Sequence, residues 1–257
     1  MNRIIGIDNE RFKRATITPF AFNYIFPRNA WTVAWWSMAL PGMGHIILGH
    51  SYKGIIFFVW ELFINTQAGL NTAILYSFTG DFELARQFLD YKWLLLYPPV
   101  LIFSVWDSYH IAAEQNKVFY LCTREKPVIN FIAIDSLGIN YLKPYNPLHM
   151  ALWSAFVPGL GHVCMKRLVT GFWGLLMWIS IVYLSGMNQG IHLTFAGSFQ
   201  EVKSVLNPQW LLFLPSIFCY AVYSAYVNAQ AINELYQVEQ RDFLEQHFQP
   251  KTFVMPL

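Results

Sequence analysis

The sequence predicts an all-α, polytopic membrane protein made of two tandem parallel repeats. Each repeat is a Pro-Gly-broken helix followed by two spanning helices. Three observations carry this prediction. Of 257 residues, 55% are hydrophobic and 12% charged, against about 25% charged in a soluble domain, so charge is too scarce to cover a soluble surface. Pro41-Gly42-Met43-Gly44-His45 returns as Pro158-Gly159-Leu160-Gly161-His162. Aligned with itself at an offset of 117, the chain also matches without gaps from 23–116 onto 140–233. Of those 94 positions 28 are identical, several times the chance level, which marks an internal duplication.

The elements follow in order. Residues 1–22 form a basic segment expected to be cytoplasmic, with Arg3, Arg11, Lys13 and Arg14. The first 29 residues lack the long apolar core and Ala-x-Ala site of a signal peptide, so insertion is expected to rely on internal segments. Ile4-Ile5-Gly6-Ile7-Asp8 and Phe131-Ile132-Ala133-Ile134-Asp135 read as short extended runs. Matching them requires a deletion of about ten residues in the second copy, and their pairing would give a two-stranded cytoplasmic element.

Repeat one covers 23–116, a cytoplasmic linker 117–139, repeat two 140–233, and a cytoplasmic tail 234–257. Three apolar segments recur in each copy: 30–48 and 150–165, broken at Pro-Gly; 54–75 and 171–193; 93–113 and 210–231, with Pro98-Pro99 and Pro215 near their starts. The last two kinds run to roughly 20 residues, enough for about 30 Å of hydrocarbon. Residues 81–92 read as an interfacial amphipathic helix, with Phe82, Ala85, Phe88 and Leu89 on one face.

The distribution of Lys and Arg sets orientation, because basic residues near span ends stay cytoplasmic. Arg3, Arg11, Lys13, Arg14 and Arg28 precede copy one, and Lys117, Arg124, Lys126 and Lys143 precede copy two. The loops between the two full spans hold only Arg86, Lys92 and Lys203. Both basic segments therefore belong on one side. This gives four spans in a cell membrane, both termini cytoplasmic, and two re-entrant Pro-Gly hairpins sheltered by protein. The alternative is six spans as inverted 3+3 repeats, a known transporter arrangement.

Pro41-Gly42-x-Gly44-His45 followed by Gly49-x-x-x-Lys53-Gly54 resembles a bacterial pattern, that of the small two-transmembrane-helix domain family. Asp107-Ser108-Tyr109 with Ala112 is similar to the end of that family's second helix. The second copy departs from it: Lys166-Arg167 stand for Gly49-His50, Thr170 for Lys53 and Ser224 for Asp107. The resemblance implies a membrane architecture and no particular activity.

Candidate site residues are few. His45 and His162 are ionisable groups at helix breaks; metal ligation or proton relay competes with the preferred reading, in which each hydrogen-bonds a carbonyl freed by the break or sits in the interface. Glu61 is the acidic residue deepest in a span, replaced by Trp178 in copy two, and is expected to join His45, His50 or Lys53 in a local polar network. Asp107 is expected either to receive Lys53 or an Arg of the opposite copy, or to lie at the surface. Asn65, Gln67, Asn71 and Asn188 are candidate interhelical glue. Trp31, Trp35, Trp36 and Trp153 fit an interfacial aromatic belt.

Cys122, Cys164 and Cys219 show no disulfide or zinc spacing. A net charge of +2 gives no sign of a nucleic-acid partner. No Walker loop, GxSxG, HExxH or dinucleotide fingerprint is present, and no cofactor or metal is expected.

The expected function is a non-enzymatic scaffold or membrane-complex subunit whose partners are the lipid bilayer and other membrane proteins or a second copy. The alternative is a small transporter or channel using His45, His162 and Glu61. A membrane enzyme acting on lipid comes third.

Overall fold

The structure, a computed structural model, describes residues 14–125, 131–136 and 138–248. The chain is mostly helical. An antiparallel hairpin of β1 (Ala15–Ile17) and β2 (Phe22–Tyr24) opens it. Asn29 then caps α1 (Ala30–Ala39), its Oδ1 accepting from the amides of Trp31 and Thr32, two of the donors left orphaned at a helix start. Pro41 has no N–H to continue the helix, and Gly42 at φ 92° reverses the chain. A single turn, α2 (Met43–Ile47), follows.

Gly49, also at positive φ, leads into α3 (Ser51–Ala68). Gly69 ends α3 in the left-handed region, its N–H directed to the Asn65 and Thr66 carbonyls. The chain goes on as α4 (Leu70–Thr79), α5 (Phe82–Phe88), α6 (Tyr91–Leu94) and α7 (Tyr97–Glu125). Pro98 and Pro99 fall in the first turn of α7, where no intrahelical N–H is lost.

The same order returns. It runs β3 (Ile132–Asp135), β4 (Gly138–Tyr141), α8 (Pro147–Phe156), α9 (Leu160–Cys164), α10 (Leu168–Leu184), α11 (Met187–Phe195), α12 (Phe199–Val205), α13 (Pro208–Leu211) and α14 (Phe213–His247). Ala30 and Pro147, Met43 and Leu160, and Ser51 and Leu168 start equivalent helices, each pair 117 apart.

The hairpins keep that spacing. Ala15 faces Tyr24 and Ile17 faces Phe22; Ile132 faces Tyr141 and Ile134 faces Ile139. The counterpart of β3 in copy one is thus the run 15–17, with no deletion, and β3 pairs with β4 rather than with a strand of copy one. The run 4–8 proposed for that role lies outside the described residues. The two hairpins are separate sheets, joined through Asn140 Nδ2, which donates to the Thr18 carbonyl at 2.9 Å.

Within each copy the broken helix lies along the long last helix, α1 on α7 and α8 on α14. One clamp recurs. Asn116 Oδ1 accepts from the Arg28 amide at 2.9 Å while its Nδ2 donates to the Arg28 carbonyl at 2.8 Å. Asn233 does the same with Tyr145, at 2.7 Å both ways. The larger apolar core collects Val33, Leu40, Met43, Phe58, Ile181 and Ile217 from both copies. A smaller one joins Phe22, Leu142, Met165 and Ile232.

Three expectations change. Residues 81–92 are not one helix, since Leu89 and Asp90 are extended and part α5 from α6. The segments 54–75 and 171–193 are not single helices, because Gly69 and Gly186 each take positive φ and break them. α7 and α14 run past the ends of the expected spans, through 117–125 and on to His247 without a break. Among the described residues, Pro208–Glu245 is long and apolar enough to cross a membrane, with a mean hydropathy of 1.6 in its best window. Two bent pairs reach the same measure if each counts as one span: Phe82–Phe88 with Tyr91–Arg124, bent by 80°, and Leu168–Leu184 with Met187–Phe195, bent by 58°.

Candidate functional site

The Pro-Gly-x-Gly-His break is packed against its own copy. Pro41 and Pro158 are fully buried. A Cβ on Gly42 would collide with the Gly54 carbonyl, and one on Gly44 with the Val33 carbonyl and Ser37 Oγ. Gly159 and Gly161 are blocked in the same way by the Gly171 and Met150 carbonyls. The repeated glycines are therefore close-approach points, where one helix backbone lies directly on another. Ser104 Oγ accepts from the Gly42 amide at 3.2 Å, and Ser154 Oγ from the Gly161 amide at 3.2 Å. Backbone donors freed by the break are thus met by protein, as a low-dielectric setting demands.

This packing aims His45 at α7. The side chain is 0% exposed, and its Nε2 lies 2.7 Å from Asp107 Oδ2. Lys53 Nζ pairs with the same oxygen from the first turn of α3. His45, Lys53 and Asp107, read separately from the sequence, thus form one trio. His162 makes the equivalent contact with Ser224 Oγ at 3.0 Å, and Asn228 Nδ2 also donates to that hydroxyl at 3.2 Å. Where copy two lacks the carboxylate it also lacks the lysine, since Thr170 replaces Lys53. The two histidines serve the same contact in separate copies.

Glu61 does not join the trio. It lies two turns further along α3, on the side of α6 and the start of α7. Its Oε1 accepts from Asn65 Nδ2 at 3.0 Å and from the Tyr97 hydroxyl at 3.1 Å. Its Oε2 is buried with no partner. The Asn65 group then extends into copy two. Gln209 Nε2 donates to Asn65 Oδ1 at 2.7 Å, Gln209 Oε1 accepts from the Thr72 amide and hydroxyl, and Asn71 Nδ2 donates to the Gln209 carbonyl at 2.9 Å. Asn65 and Asn71 thus act as the expected interhelical glue, while Gln67 and Asn188 are exposed.

Gln209 is the partner that sequence reading missed. It occupies the position of Lys92 in copy one, so the repeat gives no hint of it. Its place just after the helix-capping Asn207 was the available signal.

At the hairpin end, the loop before α3 carries His50. Its Nε2 accepts from Gln115 Nε2 at 3.1 Å, a bond that requires that nitrogen to be unprotonated. Although part of the residue meets solvent, desolvation of the ring holds its pKa below the ordinary 6.5. The Lys53 charge acts in the same direction, and Asp107 opposes both.

Trp31, Trp35 and Trp153 point outward, whereas Trp36 turns inward onto the rings of Tyr220 and Tyr223 and leaves the expected belt. Among the described residues no three His, Cys, Asp or Glu converge as a metal centre. Compared with family models, curated proteins and solved structures, the chain matches none.

Proposed function

We propose that the chain is an integral membrane protein whose two copies form one structural unit, a non-enzymatic scaffold or complex subunit. The observation that carries this reading is the inversion of polar and apolar side chains. His45, Asn65, Asn71, Ser104 and Gln209 bond inward between helices. Trp31, Ile56, Phe63, Ile102, Phe172 and Ile179 face outward. Large outward apolar faces of this extent mark a lipid or protein partner, and inward polar groups act as helix–helix glue in such a setting.

The parallel arrangement has its own support. Both hairpins, the loops after α2 and α9, and the C-terminal halves of α7 and α14 gather at one end, where the Leu168 amide bonds the Phe20 carbonyl and Tyr24 reaches Asn228. Arg14, Arg28, Lys166 and Arg167 belong to that end, which is the cytoplasmic one by the positive-inside rule. The ten residues of α1 rise about 15 Å, half the hydrocarbon thickness, which favours re-entrant breaks over the six-span inverted arrangement.

Cys122 is buried while Cys164 and Cys219 are exposed, so orientation is best read from introduced cysteines. In a chain with Cys164 and Cys219 replaced, Asp81→Cys should react with an impermeant maleimide on intact cells. Ser136→Cys should react only after permeabilisation. The reverse pattern would sink the proposed orientation.

The transporter reading keeps one supporting observation, the unpartnered Glu61 Oε2. Glu61→Gln separates the two. A scaffold keeps full cellular activity with this variant, whereas a carrier that relays a proton or cation through Glu61 loses it.

A further inference from the structure

A cavity of 330 Å³ opens where the β1–β2 hairpin meets the loops after α2 and α9. That volume falls within the range of about 300–1,000 Å³ usual for ligand pockets. Arg14, Arg28, Arg167 and His50 line it, and among the described residues no Asp or Glu does. Arg14 and Arg167 are each only 7% exposed. Among the described residues neither guanidinium has a hydrogen bond or ion pair, and Arg14 Nε is buried without a partner.

Each lies against an aromatic face. Arg14 lies 5.2 Å over Phe119, and Arg167 lies 5.8 Å over Tyr24. Arg28 is tethered, donating to the Val227 carbonyl and to Asn228 Oδ1 at 3.3 Å each. Glu239 of α14 feels the Arg14 charge from beyond ion-pair distance.

Arg14 and Arg167, buried beside Arg28 with no carboxylate lining the cavity among the described residues, lack the partners that buried charge requires. An oxyanion with several acceptor oxygens would satisfy them, and the guanidinium fork matches phosphate geometry. The duplication sharpens the point. His50 and Arg167 are equivalent positions, 117 apart, and both face this one cavity. The counterparts of Arg14 and Arg28 are Phe131 and Tyr145, which pack on the smaller apolar core instead. The second copy's lysines stand elsewhere, Lys143 and Lys166 at the places of Phe26 and Gly49.

We infer that this cavity is a binding site for a phosphate group, gripped by Arg14, Arg28 and Arg167. The phosphate could belong to a soluble phosphate compound or to a lipid headgroup. A neighbouring groove of 190 Å³ shares Asn23, Gly49 and Arg167 and is lined by Phe22, Tyr52 and Val169, so an alkyl chain attached to the phosphate would have an apolar path. The inference does not depend on the scaffold role.

The test uses the full chain purified in a neutral detergent. Melting temperature and equilibrium binding are followed with inorganic phosphate, and separately in mixed micelles containing phosphatidylglycerol or phosphatidylcholine. At least one of phosphate and phosphatidylglycerol should raise the melting temperature above chloride or phosphatidylcholine controls. Arg14→Gln and Arg167→Gln should each weaken that binding tenfold or more, while Arg86→Gln, at the other end of the molecule, leaves it unchanged.

Without the anion, the two Gln variants should melt no lower than the unaltered chain, because each removes an unpaired buried charge. A merely structural arginine would show the opposite. If the Gln variants do not fold, Arg14→Lys and Arg167→Lys keep the charge but lose the fork, and should bind with intermediate affinity. A response to phosphate identifies a soluble source, and a response to phosphatidylglycerol alone a lipid. Absence of both responses, or variants that bind as tightly as the unaltered chain, would overturn the site.

Discussion

Gly49 and Lys166 occupy the same turn of the two copies, and both hold positive φ, 85° and 59°. Lysine carries a Cβ that the left-handed region penalises by about 1–2 kcal/mol. Lys166→Gly should therefore stabilise the chain, less the extra freedom glycine adds to the unfolded state, about 0.5–1 kcal/mol. Gly49→Ala should cost about 1 kcal/mol for the converse reason. No atom lies within 4 Å of the Cβ it would introduce, so the cost is conformational. Thermal unfolding in detergent reads both, and an unchanged midpoint for Gly49→Ala would show that the turn has another conformation.

The trio of His45, Lys53 and Asp107 predicts an order of damage. Asp107→Ala leaves His45 Nε2 unpaired at a buried site and should cost about 1–3 kcal/mol. Asp107→Ser copies the Ser224 solution of the second copy, keeps a partner for the histidine and frees only the part-exposed Lys53. It should therefore be milder. Adding Lys53→Thr, the second copy's own residue, should bring little further loss. Melting temperatures of the three variants test the ranking, and equal losses for Asp107→Ser and Asp107→Ala would reject it.

Gln209 links the copies, so its loss should act on both. Gln209→Leu removes the partners of Asn65 and Thr72, an expected cost of about 1–3 kcal/mol for the polar groups left buried. In a double-mutant cycle with Asn65→Ala, the coupling should be about 0.5–2 kcal/mol, in the range of hydrogen bonds inside membrane bundles. Additive effects would mean that the bridge does not hold the copies together.

His50 gives a pH dependence of definite sign. Its folded-state pKa lies below 6.5, so on acidification below pH 6.5 the unfolded chain takes up a proton that the folded chain refuses. Stability falls through that interval and is unaffected by this group above it. His50→Gln should show a shallower loss below pH 6.5 in denaturation midpoints measured across pH. An unchanged slope would mean that the ring is protonated alike in both states.

Of the trio, Lys53 with Asp107 was among the expected pairings, whereas His45 was set with Glu61 instead. The break motif was legible in the sequence because its residues are contiguous and doubled at a fixed spacing. The hairpins were not. Ile17 and Ile134 are the single match in the 22 positions upstream of the aligned block, and strand pairing leaves no trace when the facing residues differ. Gly69 and Gly186 were visible as a repeated pair, yet apolar composition on either side hid the positive φ that ends the helix. Glu61 was assigned the wrong neighbours because proximity along a helix does not fix which face meets which element. Gln209 and Arg167 depend on contacts more than 100 residues away in the chain, and no local pattern announces them.

The clamp of Asn116 on the backbone of Arg28 spans 88 residues, yet both partners belong to the first copy. That copy can close on itself once residue 116 has left the ribosome, before the second copy has emerged. Asn65, bonded to Glu61 within the first copy, meets its partner from the second only when Gln209 is made. Domains close in the order of their synthesis, so the chain has a built-in schedule: two self-sealing halves in sequence, and a final cross-link between them that registers the arrival of the second.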